Sequence, residues 1–297
     1  MVRKKRGIII EVKTLNNGVK MPLLGLGVFR IDDLKETQST VENALSLGYR
    51  YIDTASAYGN EEGVGKAIKN SSVPRDQIFL TTKLWVPDIS YEGAKRALAA
   101  SLKRLGTDYV DLYVIHQPYN DTYGAWRAME EMYHEGKIRA LGVDHFSPAR
   151  FVDFMEFNDL KPQVDYLETH PYYQRYSEND YLKAEDILQV GFSAFGSGKL
   201  NLFQDPLLME IANKHNKGVG QVILRWLLQR GIAVIPKTTH IERLKENLDV
   251  FDFQLTADEM KKIKSLDSGK SIAGNRQSPQ ELKKILHGFV HDDADES

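Results

Sequence analysis

The feature that most constrains the fold is a regular alternation of short apolar runs with amphipathic stretches. The runs have the near-continuous apolar character of strands that are buried on both faces. They cover residues 24–28, 51–54, 78–83, 112–116, 140–143, 164–168, 188–192 and 232–236. Helical periodicity is clearest in residues 36–47, 92–105 and 123–135, and in residues 222–229 before the last run. This alternation predicts parallel strands joined by helices.

Eight candidate strands favour a closed barrel over an open sheet. An open, doubly wound sheet usually carries the motif G-x-G-x-x-G after its first strand. Residues 25–30 read G-L-G-V-F-R, which lacks the third glycine. We therefore predict an α/β fold of the (β/α)₈ TIM-barrel type.

The beginning of the chain predicts a β-hairpin in front of the barrel. Residues 8–13 and 18–21 have strand-like composition, and Asn17-Gly18 between them is a strong turn signal. We expect this hairpin to close the bottom of the barrel.

Length and composition favour a single barrel domain over residues 1–297, with a frayed acidic end from about residue 292. The chain has no cysteine, which excludes disulfides and thiolate metal sites. A net charge of −2 gives no reason to expect nucleic acid as a partner, and no apolar run approaches the roughly 18 residues of a membrane span. We expect a cytoplasmic protein, a monomer or weak dimer, that binds no metal.

Four chemically active side chains fall at or just after the ends of successive candidate strands. Asp53 ends the second strand and Tyr58 lies in the loop after it, Lys83 ends the third strand, and His116 ends the fourth. The carboxyl ends of barrel strands share one face, where the active sites of such barrels lie. We call Asp53, Tyr58, Lys83 and His116 the strand-end group and expect them to meet.

The strand-end group has the composition needed for proton transfer to or from an oxygen atom. A nearby ammonium favours the phenolate form of tyrosine, so Lys83 is expected to lower the pKa of Tyr58, with Asp53 holding Lys83 in place. Tyr58 then becomes a general acid, and His116 hydrogen-bonds to the same oxygen. Taken singly, each residue also fits a structural role, such as a cap or a buried histidine; their joint placement favours catalysis.

At these residues the chain resembles the aldo-keto reductases, and within them the bacterial diketogluconate-reductase-like branch. The matching segments are G-Y-R-Y-I-D-T-A-S-A-Y-G-N-E at residues 48–61, L-T-T-K-L-W at residues 80–85 and Y-V-D-L-Y-V-I-H at residues 109–116. The resemblance runs from about residue 15 to about residue 286. It implies that the strand-end group is catalytic, with hydride passing from NADPH to an aldehyde or ketone and Tyr58 protonating the oxygen.

A further matching segment resembles the part of the family that binds the cofactor phosphate. It reads I-P-K-T at residues 235–238 and is followed by Arg243, Glu246 and Asn247. Lys237 and Arg243 supply charge, Thr238 supplies a hydroxyl, and a helix beginning near residue 241 offers free amides, all of which suit a phosphate. The structural alternative is that these charged residues lie on a solvated helix face. A different function is also open, because a barrel enzyme for phosphorylated sugars would use the same cations to bind its substrate.

The chain departs from the family where the nicotinamide is held. The usual serine and asparagine after the fifth strand are replaced by Asp144 and His145, and a glutamine of the sixth strand is replaced by Tyr166. Phe192 stands where the family has its ring-stacking aromatic residue. Cofactor binding through these residues is one interpretation; the alternative is a nicotinamide-nucleotide-binding protein with low or lost turnover.

The substrate is expected to lie against aromatic side chains at the same face. Phe29 and Trp85 lie in loops there, beside His116. A small carbonyl substrate needs an apolar wall with few fixed polar contacts. Phe29 fits an ordinary core aromatic equally well.

Overall fold

The structure is a computed structural model that describes residues 10–274 and 278–287. Its strands are β1 (Val12–Thr14), β2 (Lys20–Pro22), β3 (Leu26–Gly27), β4 (Tyr51–Asp53), β5 (Phe79–Leu84), β6 (Leu112–Ile115), β7 (Leu141–Asp144), β8 (Val164–Glu168), β9 (Leu188–Phe192) and β10 (Ala233–Val234). Its helices are α1 (Leu34–Leu47), α2 (Glu61–Asn70), α3 (Tyr91–Leu105), α4 (Thr122–His134), α5 (Pro148–Glu156), α6 (Tyr176–Ala184), α7 (Pro206–His215), α8 (Val219–Gln229), α9 (Ile241–Leu248), α10 (Ala257–Lys264) and α11 (Pro279–His287).

Strands β3 to β10 form one parallel sheet in which each strand pairs with the next along the chain. The sheet curls until its two edges meet at a parallel bridge between Leu24 and Val234. There the Val234 amide donates to the Leu23 carbonyl (2.8 Å) and the Gly25 amide to the Val234 carbonyl (2.9 Å). Helices fill the connections, which confirms the predicted (β/α)₈ barrel.

The first and last barrel strands, β3 and β10, are shorter than predicted, and the chain around them is closely packed. A Cβ on Gly27 would lie 2.7 Å from the Ile235 carbonyl oxygen, and one on Gly25 would lie 2.4 Å from the Tyr51 ring. Contacts this short exclude any side chain. The two glycines therefore serve close packing.

The predicted hairpin is present, and it covers the amino-terminal ends of the barrel strands. β1 and β2 pair antiparallel with Lys13 opposite Met21. The side-chain amide of Asn17 donates to the Arg139 carbonyl (2.9 Å), just before β7 begins, and Met21 is fully buried. The hairpin therefore closes the bottom of the barrel. Residues 8 and 9 of the predicted strand, and the predicted frayed end from about residue 292, lie outside the described residues.

Several helices begin before the predicted position because a capping side chain extends them. Ser90 accepts from the Gly93 amide at the start of α3, and Asp121 accepts from the Gly124 amide at the start of α4. In both helices the cap satisfies an amide that has no partner within the helix. The apolar periodicity shows only the buried face and not these polar first turns.

One carboxyl group, buried on the side of the barrel sheet that faces away from the barrel interior, opposes folding. Asp165 precedes Tyr166 on β8, so its side chain points away from the barrel interior. It is 3% exposed, and its Oδ1 atom has no hydrogen-bond partner within the described residues. Burial, with the charge of Asp144 added, raises the pKa of Asp165 well above its usual value. The folded state therefore favours the protonated acid.

We expect Asp165→Asn to stabilise the protein near neutral pH by about 1–3 kcal/mol, because the amide neither carries a charge to desolvate nor has to take up a proton on folding. A raised folded-state pKa gives stability that is complete below about pH 4 and is lost as pH rises through the folded pKa. The gain in Tm should therefore grow with pH. Thermal melts over a pH series test this, with the exposed Asp32→Asn as control. A variant that melts no higher than the wild type at any pH contradicts the prediction.

Candidate active site

A cavity of about 540 Å³ opens at the carboxyl ends of the barrel strands. Eleven of the fifteen site residues expected from the sequence line it, and four lie apart, on α9 or just before it. The lining residues among them are Phe29, Asp53, Tyr58, Lys83, Trp85, His116, Asp144, His145, Tyr166, Phe192 and Lys237. The other residues expected from the sequence are Arg243, Glu246 and Asn247, with Thr238 immediately after Lys237.

At the floor of the cavity Asp53 and Lys83 form a buried ion pair. Asp53 is the last residue of β4 and Lys83 lies on the neighbouring β5, and the Nζ–Oδ1 distance is 2.5 Å. Burial by itself lowers the pKa of Lys83, but Asp53, together with Tyr58 and Asp144, outweighs it and raises the pKa above its usual value. Lys83 therefore stays charged and also donates to the Tyr58 hydroxyl (3.4 Å).

Tyr58 reaches the ion pair from the 3₁₀ turn Ser56–Tyr58, which follows β4. The Ser56 hydroxyl fixes the turn by donating to the Lys83 carbonyl (2.9 Å). The Tyr58 ring packs against Phe29 with the ring centres 4.9 Å apart. Burial raises the pKa of Tyr58 to about 12, although the charge of Lys83 acts in the opposite direction. Lys83 thus acts in the expected direction, but desolvation, which the sequence did not reveal, outweighs the ammonium.

His116 follows β6 directly and completes the convergence of the strand-end group. Its ring centre lies 5.6 Å from that of Tyr58 and 5.0 Å from that of Trp85, in both cases edge to face. Its Nε2 atom is 3.9 Å from Asp144 Oδ2. The imidazole and the phenol hydroxyl therefore face the same space, with Phe29 and Trp85 as apolar neighbours.

Tyr166 takes part in a hydrogen-bond network beneath the cavity. Its hydroxyl donates to Asp53 Oδ2 (2.7 Å) and lies 2.7 Å from the Tyr51 hydroxyl, which is itself 3.2 Å from the same oxygen. The side chain expected to contact the cofactor thus directs its polar atom to Asp53. Sequence reasoning missed Tyr51, although its place two residues before Asp53 on one strand puts both on the same face.

Asp144 and His145 form the wall that faces Phe192. His145 has a positive φ of 64°, which brings its ring to 4.6 Å from the Phe192 ring, centre to centre. Its Nδ1 atom is 2.6 Å from Asp144 Oδ1, but the ring is not oriented for a hydrogen bond, and neither atom has a hydrogen-bond partner within the described residues. This wall therefore presents an aromatic pair next to a carboxylate.

The segment after β10 carries the residues expected to bind a phosphate. Lys237 is exposed at the cavity rim, Arg243 and Glu246 are exposed on α9, and Asn247 is buried beside Tyr49. The Thr238 hydroxyl accepts from the His240 amide (3.2 Å) just before α9 begins.

The two cations of this segment, Lys237 and Arg243, carry charge that the protein does not balance locally. Within residues 10–274 and 278–287, no carboxylate lies within ion-pair distance of either side chain. Unpaired cations at the start of a helix favour an anion.

A segment before α11 forms part of the cavity rim. Glu168 at the end of β8 accepts from the Ser271 hydroxyl (2.5 Å) and the Ile272 amide (2.8 Å), and Lys199 donates to the Ile272 carbonyl (2.9 Å). Ile272 and Ala273 thereby line the cavity. Because these partners are about a hundred residues apart, no local pattern reveals them.

The described part of the chain has no helix that is both long and apolar enough to cross a bilayer. In the same residues, no three His, Asp or Glu side chains come together in a way that would hold a metal ion.

Proteins of known sequence that are similar to this chain include several reductases. A model of the Aldo/keto reductase family matches residues 23–268. Glyoxal reductase of Bacillus subtilis is 44% identical over 269 residues, which cover 90% of this chain and 96% of that protein. Methylglyoxal reductase DkgA of Escherichia coli is 39% identical over 261 residues, 87% of this chain and 94% of that protein.

Solved structures show the same relationship. The aldo-keto reductase of Bombyx mori in complex with NADP superposes with a TM-score of 0.85 at 32% identity, covering 90% of this chain and 96% of that one. The family match spans most of the sequence and includes every strand of the barrel. The chain therefore belongs to the aldo-keto reductase family.

Proposed function

We propose that the protein reduces aldehydes or ketones to alcohols with NADPH, and that Tyr58 gives the proton to the carbonyl oxygen. The observation that carries the proposal is the convergence of the Tyr58 hydroxyl, the Lys83 ammonium and the His116 ring on one cavity. The relatives named as glyoxal and methylglyoxal reductases support a small carbonyl substrate.

The residues at the two ends of the cavity fit NADPH, which supplies the hydride. Lys237 and Arg243 would hold the 2′-phosphate, because both cations lack a carboxylate partner within the described residues. Thr238 and the first amides of α9 would add donors, and Glu246 and Asn247 would face the adenosine.

At the nicotinamide end the cavity wall offers one aromatic face and several polar atoms. Phe192 would stack on the ring, and Asp144 and His145 would contact it, because each has a polar atom without a hydrogen-bond partner in the described chain. Tyr166 would contribute its ring edge, since its hydroxyl is bound to Asp53.

Proton delivery follows from the charges around Tyr58. The substrate oxygen would lie between the Tyr58 hydroxyl and the His116 ring, with Phe29 and Trp85 as the apolar wall. As negative charge grows on that oxygen, Tyr58 releases its proton and Lys83 stabilises the phenolate. Asp53 is a positioning residue that keeps Lys83 charged and fixed.

The direct test is the loss of NADPH absorbance with a panel of small aldehydes and diketones, methylglyoxal and glyoxal among them. Turnover supports the proposal. If the folded protein binds NADPH but consumes none with any carbonyl, the proposal is wrong. The second candidate then applies, a nucleotide-binding protein without turnover, which the contact of His145 with Phe192 favours because the two rings cover each other.

The cofactor-phosphate assignment makes a separate prediction. Replacing Lys237 or Arg243 with alanine is expected to raise KM for NADPH by about 10–100-fold, because each removes a charge-assisted hydrogen bond worth about 1.5–3 kcal/mol. KM for NADH, which has no 2′-phosphate, should change little. Lys245→Ala is the matched control, since Lys245 lies on the same helix but pairs with Glu242 (2.8 Å). Equal losses with both cofactors would contradict the assignment.

A further inference from the structure

The Asp144 carboxylate is a buried group in the active-site cavity that lies outside the strand-end group. Asp144 ends β7, is 3% exposed and lines the cavity with Tyr58 and Lys83. Its Oδ1 atom has no hydrogen-bond partner within the described residues. An incompletely paired buried carboxylate is costly to keep, so its presence in a ligand cavity points to a charge that it meets there.

The Asp144 carboxylate faces two imidazoles but, within the described residues, forms no ion pair with a lysine or an arginine. The nearest ammonium of the cavity floor, Lys83, is already paired with Asp53 at 2.5 Å. The side chains that face the Asp144 oxygens are the imidazoles of His116 (3.9 Å) and His145 (2.6 Å). In the described chain no lysine or arginine forms an ion pair with Asp144. A cationic ligand group in this cavity would therefore be favoured.

We infer that Asp144 stabilises positive charge on the nicotinamide ring, so that the protein binds NADP⁺ more tightly than NADPH. The inference rests on the proposed function. In carbonyl reduction a hydride, one proton with two electrons, leaves the ring for the carbonyl carbon: the ring C–H bond breaks, a C–H bond forms at carbon, and the oxygen takes the Tyr58 proton. The ring thereby changes from neutral to a single positive charge, and the carbonyl is reduced.

Asp144 acts on this change because it lines the cavity in which the transfer must occur. A carboxylate several ångströms from a unit positive charge, in surroundings of intermediate dielectric, changes binding by about tenfold or more. The same attraction is present in part while the hydride leaves, so it accelerates reduction. It also strengthens the hold on the oxidised product, so release of NADP⁺ is slowed.

The test is the ratio of two dissociation constants, measured by calorimetry at one pH and one ionic strength. In the wild type the Kd of NADP⁺ should be about tenfold lower than that of NADPH. Asp144→Asn, which keeps the shape and removes the charge, should abolish this preference, and Asp144→Ser provides a second neutral variant. Both should bind adenosine 2′,5′-bisphosphate, which lacks nicotinamide, as the wild type does.

Asp165→Asn is the matched control, since it removes a buried carboxyl group from the adjacent strand that does not line the cavity. It should keep the wild-type ratio. If the wild type binds both cofactors and neutral variants keep the same ratio, the inference is wrong while the proposed function stands. If the wild type binds neither cofactor, the proposed function fails and this inference fails with it.

Discussion

Replacing Tyr58 with phenylalanine is expected to lower kcat for carbonyl reduction by about 10²–10⁴-fold, because it removes the proposed proton donor. The ring should stay in place, since its contacts with Phe29 and His116 are made by ring atoms. NADPH binding should therefore be nearly unchanged. Steady-state rates and cofactor titrations of the same preparation measure the two effects separately.

The pH dependence gives a second measurement on the same group. Burial raises the pKa of Tyr58 to about 12, so its hydroxyl stays protonated through the neutral range and reduction should be nearly independent of pH there. Alcohol oxidation needs the phenolate, whose fraction rises about tenfold per pH unit below that pKa. Oxidation should accelerate accordingly, and this rise should be absent in Tyr58→Phe.

Tyr51→Phe is the matched control for the loss of a phenol hydroxyl. Tyr51 is buried, and its hydroxyl bonds to Asp53 rather than to Lys83. Its removal should change kcat much less than the removal of the Tyr58 hydroxyl. If Tyr58→Phe retains more than about a tenth of the wild-type rate, Tyr58 is not the acid.

The barrel and the meeting of the strand-end group could be predicted because both depend on short-range patterns. Apolar runs indicate where the strands lie. In a barrel the carboxyl ends of all parallel strands lie at the same face. Asp53 and Lys83 are adjacent in the structure because their strands are neighbours in sequence. No distant contact had to be inferred.

Contacts between distant segments and the effects of burial could not be predicted in the same way. The Tyr166 hydroxyl reaches Asp53 across the barrel interior, 113 residues away in sequence, and Glu168 anchors residues 271–273 across a similar separation. The pKa of Tyr58 depends on how completely the ring is desolvated, which a list of neighbouring charges does not give. These properties depend on the packed interior and not on any one segment.

Replacing Lys83 with methionine is expected to cost about 3–5 kcal/mol of folding free energy and to abolish most of the activity. The Asp53 carboxylate would remain buried, with the Tyr166 and Tyr51 hydroxyls as donors but with no opposite charge. Thermal or denaturant unfolding measures the loss. The exposed pair of Lys95 and Glu131 is the control, and Lys95→Met should melt as the wild type does.

The double variant Asp53→Asn with Lys83→Met separates the structural role of the ion pair from its chemical role. Removing both charges eliminates the unpaired carboxylate, so most of the stability lost in Lys83→Met should return. Activity should not return, because Tyr58 would still lack the ammonium that stabilises its phenolate. A double variant as unstable as the single one would mean that Lys83 stabilises the barrel through packing. One that regains activity would mean that proton transfer does not need the Lys83 charge.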